Sequence, residues 1–318
     1  MNYNVKGFDS DGLEIIESLS IPQILGKYGL DFHIEKAPLL AMNEQGEQML
    51  TPYYGLFNTA SGECINTCKE GYQVSQNSEV VEMVLKGIES YSNKLCVSKA
   101  GSLNGGRRVF MQLEIEGDSR VGDDIIKRYI TVLDSNDGST GLSVGIGDLT
   151  LSCSNQFFKF YSKGDAKFRH TATLQQKIQT IPSLIQTALE ESMTQIKVYK
   201  KFQSTQVSRD LANQMVKSIL GYDRVITSVA EQAKLTSRSL SIMDDLYNNI
   251  EHEMKEKGNN LWGLHSGVTR WTTHSKPGPK RPNGHIESML VGAGYKKNQD
   301  SLDFASKVAG VDYWNWVN

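Results

Sequence analysis

The spacing of apolar residues changes about halfway along the chain. Up to residue 172 it favours strands. Short runs of Tyr, Phe, Ile and Val over 51–75 are broken by Asn58, Ser61-Gly62 and Gly71. Strands are predicted over 96–100, 109–115 and 128–135. Asn136-Asp137-Gly138, set between apolar runs, marks a tight turn, so 128–147 reads as a hairpin. Residues 149–160 alternate well enough for another strand, or for a strand entering a helix. One helix interrupts this half, over 78–91, where Val81, Val84, Leu85 and Ile88 share a face.

After residue 172 the period becomes helical. Ile178, Ile181, Ile185, Leu189, Ile196 and Tyr199 recur at helical spacing, with Pro182 marking a kink or a first turn. Leu211, Met215 and Ile219 form a second helix, stopped by Gly221. A third runs from Leu240 to Met254 and ends at Gly258. A fourth runs from Leu261 to Trp271, and a short last one covers 299–309. Between them, three prolines and two glycines over 276–284 exclude regular structure. Strands first and helices second predict an α+β fold, with a strand-rich body over 1–172 and a helical region over 173–318.

The chain has 318 residues and a net charge of −2, so it is not basic as a whole. The charge is uneven, however. Residues 1–50 hold three lysines against eight carboxylates, while 265–297 hold six cations against one. No stretch approaches the ~18 apolar residues of a membrane span, and no leader is visible. Four cysteines, Cys64, Cys68, Cys96 and Cys153, fit a reduced, cytoplasmic protein.

Enzyme motifs fail on context. Gly141-Leu142-Ser143-Val144-Gly145 has the letters of a nucleophile elbow, but a turn precedes it and no helix follows. Gly101 to Arg108 half-matches a phosphate loop, with Arg107-Arg108 where Lys-Ser/Thr is required, so ATP hydrolysis is not expected. Asp134, Asp137 and Asp148 keep a metal-dependent nuclease open as an alternative, against the plainer reading of turn carboxylates. No cofactor or resident metal is expected.

Binding chemistry is more prominent. The Gly-rich bend 101–106 runs into Arg107 and Arg108, a combination suited to contacting an anion. Lys159, Lys163 and Arg169 lie among Phe158, Tyr161 and other aromatic residues, a mixture suited to phosphates and bases. The alternative is that these aromatic residues fill the core. Arg270, Lys280 and Arg281 form a second basic group beside the Pro/Gly loop. The tail over 312–318, with two tryptophans, either docks on the body or captures a partner protein.

The run Gly101-Ser102-Leu103-Asn104-Gly105-Gly106-Arg107-Arg108-Val109-Phe110 also carries a resemblance. With Asp137-Gly138-Ser139, Cys153-Ser154-Asn155, Arg169-His170-Thr171 and Trp262-Gly263-Leu264 leading to Val268-Thr269, it resembles the phage/plasmid-like proteins of domain-of-unknown-function group 932. Leu151-Ser152 stands before Cys153, where that family tends to have an arginine. The resemblance implies a phage or mobile-element origin and a place beside DNA replication and recombination. Single-strand annealing proteins offer an analogy, since they oligomerise around a basic groove.

The resulting expectation is an ATP-independent, homo-oligomeric binder of single-stranded DNA rather than an enzyme, acting in replication or recombination. Arg107, Arg108, Lys159, Lys163, Arg169, Arg270, Lys280 and Arg281 would contact phosphates, and Phe158 and Tyr161 would stack bases. The rivals are a module that captures a host or phage protein through 312–318, and the nuclease.

Overall fold

A computed structural model describes the chain apart from residues 92–93, 152–154, 161–166, 223–234, 276–283 and 312–318. It is an α+β protein, with strands concentrated in the N-terminal half and helices in the C-terminal half. Two compact units interleave along the sequence. The first comprises Met1–Gly117, Tyr129–Ile146 and Phe160–Leu189; the second comprises Asp118–Arg128, Gly147–Lys159 and Glu190–Asn318. A single division after residue 172 does not express this interleaving. No helix among the described residues is long and apolar enough to cross a membrane.

The first unit begins with a hairpin, β1 (Tyr3–Phe8) and β2 (Glu14–Leu19), followed by α1 (Ile21–Lys27). A three-stranded antiparallel sheet follows, in the order β3 (Ile34–Met42), β4 (Gln48–Asn58), β5 (Cys64–Cys68). After helix α2 (Asn77–Glu89), the chain builds β6 (Leu95–Leu103), β7 (Arg108–Val121), β8 (Asp124–Ser135) and β9 (Leu142–Thr150). In this unit the strand order of the larger sheet is β9-β8-β7-β6-β1-β2. The short β11 (Lys167–Phe168) pairs with β9. β1 joins β6 in parallel at Val5↔Val97, and a bulge between Val97 and Lys99 shifts the β6–β7 register.

Helix α2 starts from a capping box between Gln76 and Glu79. It buries Val81, Val84, Leu85 and Ile88, the face that the sequence predicts, together with Val80. Each such side chain contributes about 1.5–3 kcal/mol on burial. The expected helix after residue 173 is two, α3 (Leu174–Ile178) and α4 (Ile181–Gln203), with Pro182 in the first turn of α4. Proline is tolerated there because that N–H lacks a helical partner anyway. Gly87 lets α2 approach α4 closely: a Cβ at this position would lie 2.6 Å from Ile185 Cδ1 and 3.2 Å from Pro182 Cα.

The second unit is mainly helical. It holds one end each of β7, β8 and β9 and all but the last residue of β10 (Asn155–Phe160), in the order β10-β9-β8-β7. The expected continuous strand 149–160 is divided, since β9 stops at Thr150 and β10 starts at Asn155. Helices α5 (Arg209–Leu220), α6 (Ser237–Lys257), α7 (Leu261–Arg270), α8 (Gly284–Leu290) and α9 (Ala293–Ala309) follow α4. Ser208 caps α5 at its start, and Gly221 closes it in the left-handed region at φ 76°. Thr236 caps α6, and Gly258 ends it.

Tyr199, Phe202, Met215, Leu246, Trp262 and Trp271 belong to the core of this unit. Gly267 sits against α6, where a Cβ would lie 2.4 Å from Ile250 Cα. Trp262 Nε1 donates to Asp124 at 2.7 Å, and the Lys257 ammonium sits 2.7 Å from the same carboxylate. The Trp262-Gly263-Leu264 element is therefore a packing element.

Candidate functional site

In the first unit, segments far apart in sequence meet at the end of β8. Asp134 is buried there. Its Oδ1 accepts from the Ser135 N–H at 2.8 Å and lies 3.0 Å from His170 Nε2, while its Oδ2 accepts from the Ser75 hydroxyl. The other ring nitrogen of His170, Nδ1, lies 2.9 Å from the Gln73 carbonyl oxygen. Both nitrogens therefore face acceptors, and both are satisfied only if each carries a proton. Burial opposes a charge on His170, but the bonds to Asp134 and Gln73 prevail and hold its pKa above the ordinary imidazole value. The ring is stacked on Tyr72, with centroids 4.9 Å apart and planes 9° from parallel. A cationic ring against an aromatic face is a favourable pairing.

This geometry excludes a Ser–His nucleophile. The Ser75 hydroxyl bonds Asp134 rather than His170, and neither imidazole nitrogen is left to accept a proton.

The turn after β8 is built by Arg108. Its guanidinium sits 3.0 Å from Asp137 Oδ2, and its Nε donates to Ser139 Oγ at 2.8 Å. Asp137 Oδ1 accepts from the Ser139 N–H at 2.9 Å. Asn66 Nδ2 donates to the Asn136 carbonyl at 2.9 Å, tying β5 to this turn. Arg107 stitches the β6–β7 turn to the same strand. Its Nε donates to the Ile65 carbonyl at 3.0 Å, other guanidinium nitrogens reach the carbonyls of Asn104 and Cys64, and Glu63 lies 2.9 Å away.

The glycines before Arg107 answer to the turn itself. Asn104, Gly105 and Gly106 all have positive φ, and a Cβ on Gly106 would lie 2.6 Å from Asn58 Nδ2. Close backbone approach to a ligand is not required to account for them.

These segments border an open cleft of about 550 Å³, lined in part by Tyr53, Asn66, Lys69, Tyr72, Asp137 and His170. Lys69 and Arg169 are exposed, and Tyr53 is 47% exposed. Of the expected phosphate contacts in this unit, Arg169 neighbours the lining residues His170 and Thr171, and Arg108 pairs with the lining residue Asp137. Sequence reasoning misses Lys69, Tyr53 and Tyr72: Tyr53 lies within β4, and Lys69 and Tyr72 lie in the loop after β5, with no motif around any of them.

The remaining expected contacts fall elsewhere. Phe158 is 7% exposed and lies in the core of the second unit, so it offers no free face for stacking. Lys159 is 3% exposed. Burial pushes its pKa down to about 8, against the opposing pull of Asp303 and Glu191. Arg270, also in the second unit, lies 3.4 Å from Glu253. Phe158, Lys159 and Arg270 therefore serve packing and internal electrostatic pairing, since a buried charge needs a partner within the protein. Tyr161, Lys163, Lys280, Arg281 and the tail 312–318 lie outside the described residues.

The three carboxylates of the nuclease alternative do not form a ligand set. Asp134 and Asp137 are engaged by the donors just described. Asp148 belongs to the second unit, fully buried, where its Oδ2 accepts from the Tyr199 hydroxyl at 2.7 Å and from Gln195 Nε2 at 3.0 Å. Burial raises its pKa to about 7, the Tyr199 bond notwithstanding. Among the described residues, His252, Glu253 and Glu256 are the one cluster with suitable spacing for a metal. Glu253 already faces Lys257 and Arg270.

A family model described as a domain of unknown function, DUF932, matches residues 65–303. The match takes in Arg107, Arg108, the end of β8 and Arg169 to Thr171, and leaves out β1 to β4. Comparison with curated proteins and with solved structures gives no match. The family model spans most of the chain, which therefore belongs to the DUF932 family.

Proposed function

We propose that this protein binds single-stranded nucleic acid without ATP, as a DNA-binding factor of phage or mobile-element origin in replication or recombination. The observation that carries the proposal is the cleft beside His170. Segments 134–140 and 168–171 contribute to its lining, Arg108 pairs with the lining residue Asp137, and the exposed Lys69 and the aromatic Tyr53 and Tyr72 lie in it, with exposed Arg169 adjacent in sequence to His170. Lys69 and Arg169 are the phosphate contacts, and Tyr53 is the exposed aromatic face for a base. His170 and Arg108 act beneath them, holding the cleft wall.

Self-association is part of the proposal, with a second copy as the occupant of the β3–β4 ribbon. β5 pairs with β4 only over Tyr54–Phe57, so before Tyr54 the ribbon is two-stranded. The cross-strand pair Leu40↔Leu50 and neighbouring Met42 are each more than half exposed there. A two-stranded ribbon is marginal alone, and exposed apolar patches favour association.

Fluorescence anisotropy of a labelled oligothymidine, titrated with the full chain at low and moderate salt, tests the proposal. Saturable binding that weakens steeply with salt is expected, because each phosphate contact releases counterions. Absence of binding at low salt overturns it.

A further inference from the structure

The second unit contains a larger groove, about 1210 Å³, between α5 and α6. Its two walls are fixed to each other. The Val207 N–H donates to the Asn259 carbonyl at 3.0 Å, and the Tyr247 hydroxyl donates to Asn213 Oδ1 at 2.9 Å. The start of α5 thus lies beside the end of α6. Lining positions on α6 are Tyr247, Ile250, Glu251, Met254 and Lys255, one helical face. From Tyr247 to Gly258 that face spans about 16 Å, or three helical turns.

The floor is aliphatic, with Ala212 and Ile250 buried and Met254 half-buried. The rim is charged. Arg209 and Lys255 are exposed and Lys217 is half-buried, against a single lining carboxylate, Glu251. An apolar floor between two helices, edged by cations, is complementary to a helix with an apolar stripe and flanking carboxylates. A nucleic-acid strand fits less well, since its phosphates would pass Glu251 and, Tyr247 apart, its bases would meet aliphatic side chains.

We infer that the α5–α6 groove is a docking site for an acidic amphipathic helix of a partner protein, its apolar stripe on Ala212, Ile250 and Met254 and its carboxylates on Arg209 and Lys255. This groove belongs to the second unit, and the nucleic-acid cleft to the first.

The probe is a fluorescein-labelled 16-residue helical peptide with leucines at i, i+3, i+4 and i+7 and glutamates elsewhere. Two controls have the same length: a scrambled sequence, and a version with lysine for glutamate. With the full chain, the acidic amphipathic peptide is expected to bind at least tenfold more tightly than either control. The Arg209→Glu/Lys255→Glu variant should lose at least tenfold in affinity, and the milder Lys255→Glu alone about threefold. A benzophenone on the apolar stripe should crosslink to Met254 or its groove neighbours. Equal binding of the controls, unchanged affinity in the variants, or crosslinks mapping elsewhere each overturn the inference. So does a loss of oligothymidine binding in the Arg209→Glu/Lys255→Glu variant, which would assign the groove to a nucleic-acid strand instead.

Discussion

His170 and Asp134 form a buried ion pair, Nε2 to Oδ1 at 3.0 Å, in which the histidine's second nitrogen is also held, by the Gln73 carbonyl. This pair joins the segment after β11 to the end of β8. It is also the link between the stability of the first unit and pH.

The sign follows from the raised pKa of His170. A histidine bound more tightly to its proton when folded contributes stability fully below its unfolded pKa, about 6.5, and loses it as pH rises through the folded value. The advantage of the native chain over His170→Gln should therefore be largest at about pH 6 and shrink under alkaline conditions. Removing the ring with His170→Ala leaves Asp134 buried without its cation and should cost about 3 kcal/mol near neutrality. Urea denaturation at several pH values measures both. An advantage that grows with pH would contradict the doubly protonated ring.

Asp148 should show a different dependence. Its folded pKa, about 7, lies above the ordinary carboxylate value of about 3.9, so folding becomes harder as pH rises from 4 towards 7. Asp148→Asn keeps an acceptor for Tyr199 and Gln195 and has no charge to bury. It should raise stability at pH 8 by on the order of 1–3 kcal/mol and have little effect at pH 4. Thermal melts of the two chains at both pH values decide the matter.

Much of the α+β framework is legible in the sequence, because burial there imposes a period. Helix α2 repeats apolar residues at one face, and Gly221 and Gly258 end α5 and α6 where the periodic runs stop. The N-terminal hairpin is not legible: β2 is mostly exposed, so no alternation of buried residues marks Glu14 to Leu19. The site is legible only in part. Arg107 and Arg108 are conspicuous as charges, yet a sequence does not say whether a guanidinium meets a ligand or its own backbone. For Arg107 the acceptors are the carbonyls of Cys64 and Ile65, from a strand some forty residues earlier, and of Asn104 in its own turn. Lys69 carries no distinctive local signal, since the Tyr53, Asp137 and His170 that complete the cleft come from distant parts of the sequence.

The structural role of Arg107 separates from its surface ion pair. Glu63→Ala removes an exposed partner and should change stability by less than about 1 kcal/mol. Arg107→Ala leaves the carbonyls without their donor and should cost about 1.5–3 kcal/mol. Comparable effects of the two substitutions would mean that the pair with Glu63, not the backbone bonds, holds the turn.

Gly267 offers a packing test in the second unit. Its Cβ position lies 2.4 Å from Ile250 Cα, a backbone atom that cannot step aside alone. Gly267→Ala should destabilise by about 1–3 kcal/mol through separation of α7 from α6. Gly221→Ala, with nothing within 4 Å of its Cβ position but a φ of +76°, should cost about 1 kcal/mol through backbone strain alone. Denaturant melts of both variants distinguish the two costs.

The most direct measurement compares oligothymidine affinity between the native chain and a Lys69→Glu/Arg169→Glu variant, with folding checked by circular dichroism. Binding by the native chain at low salt, reduced at least tenfold in the folded variant, is the predicted result. Equal affinity of the two chains would show that the cleft beside His170 is not where nucleic acid binds.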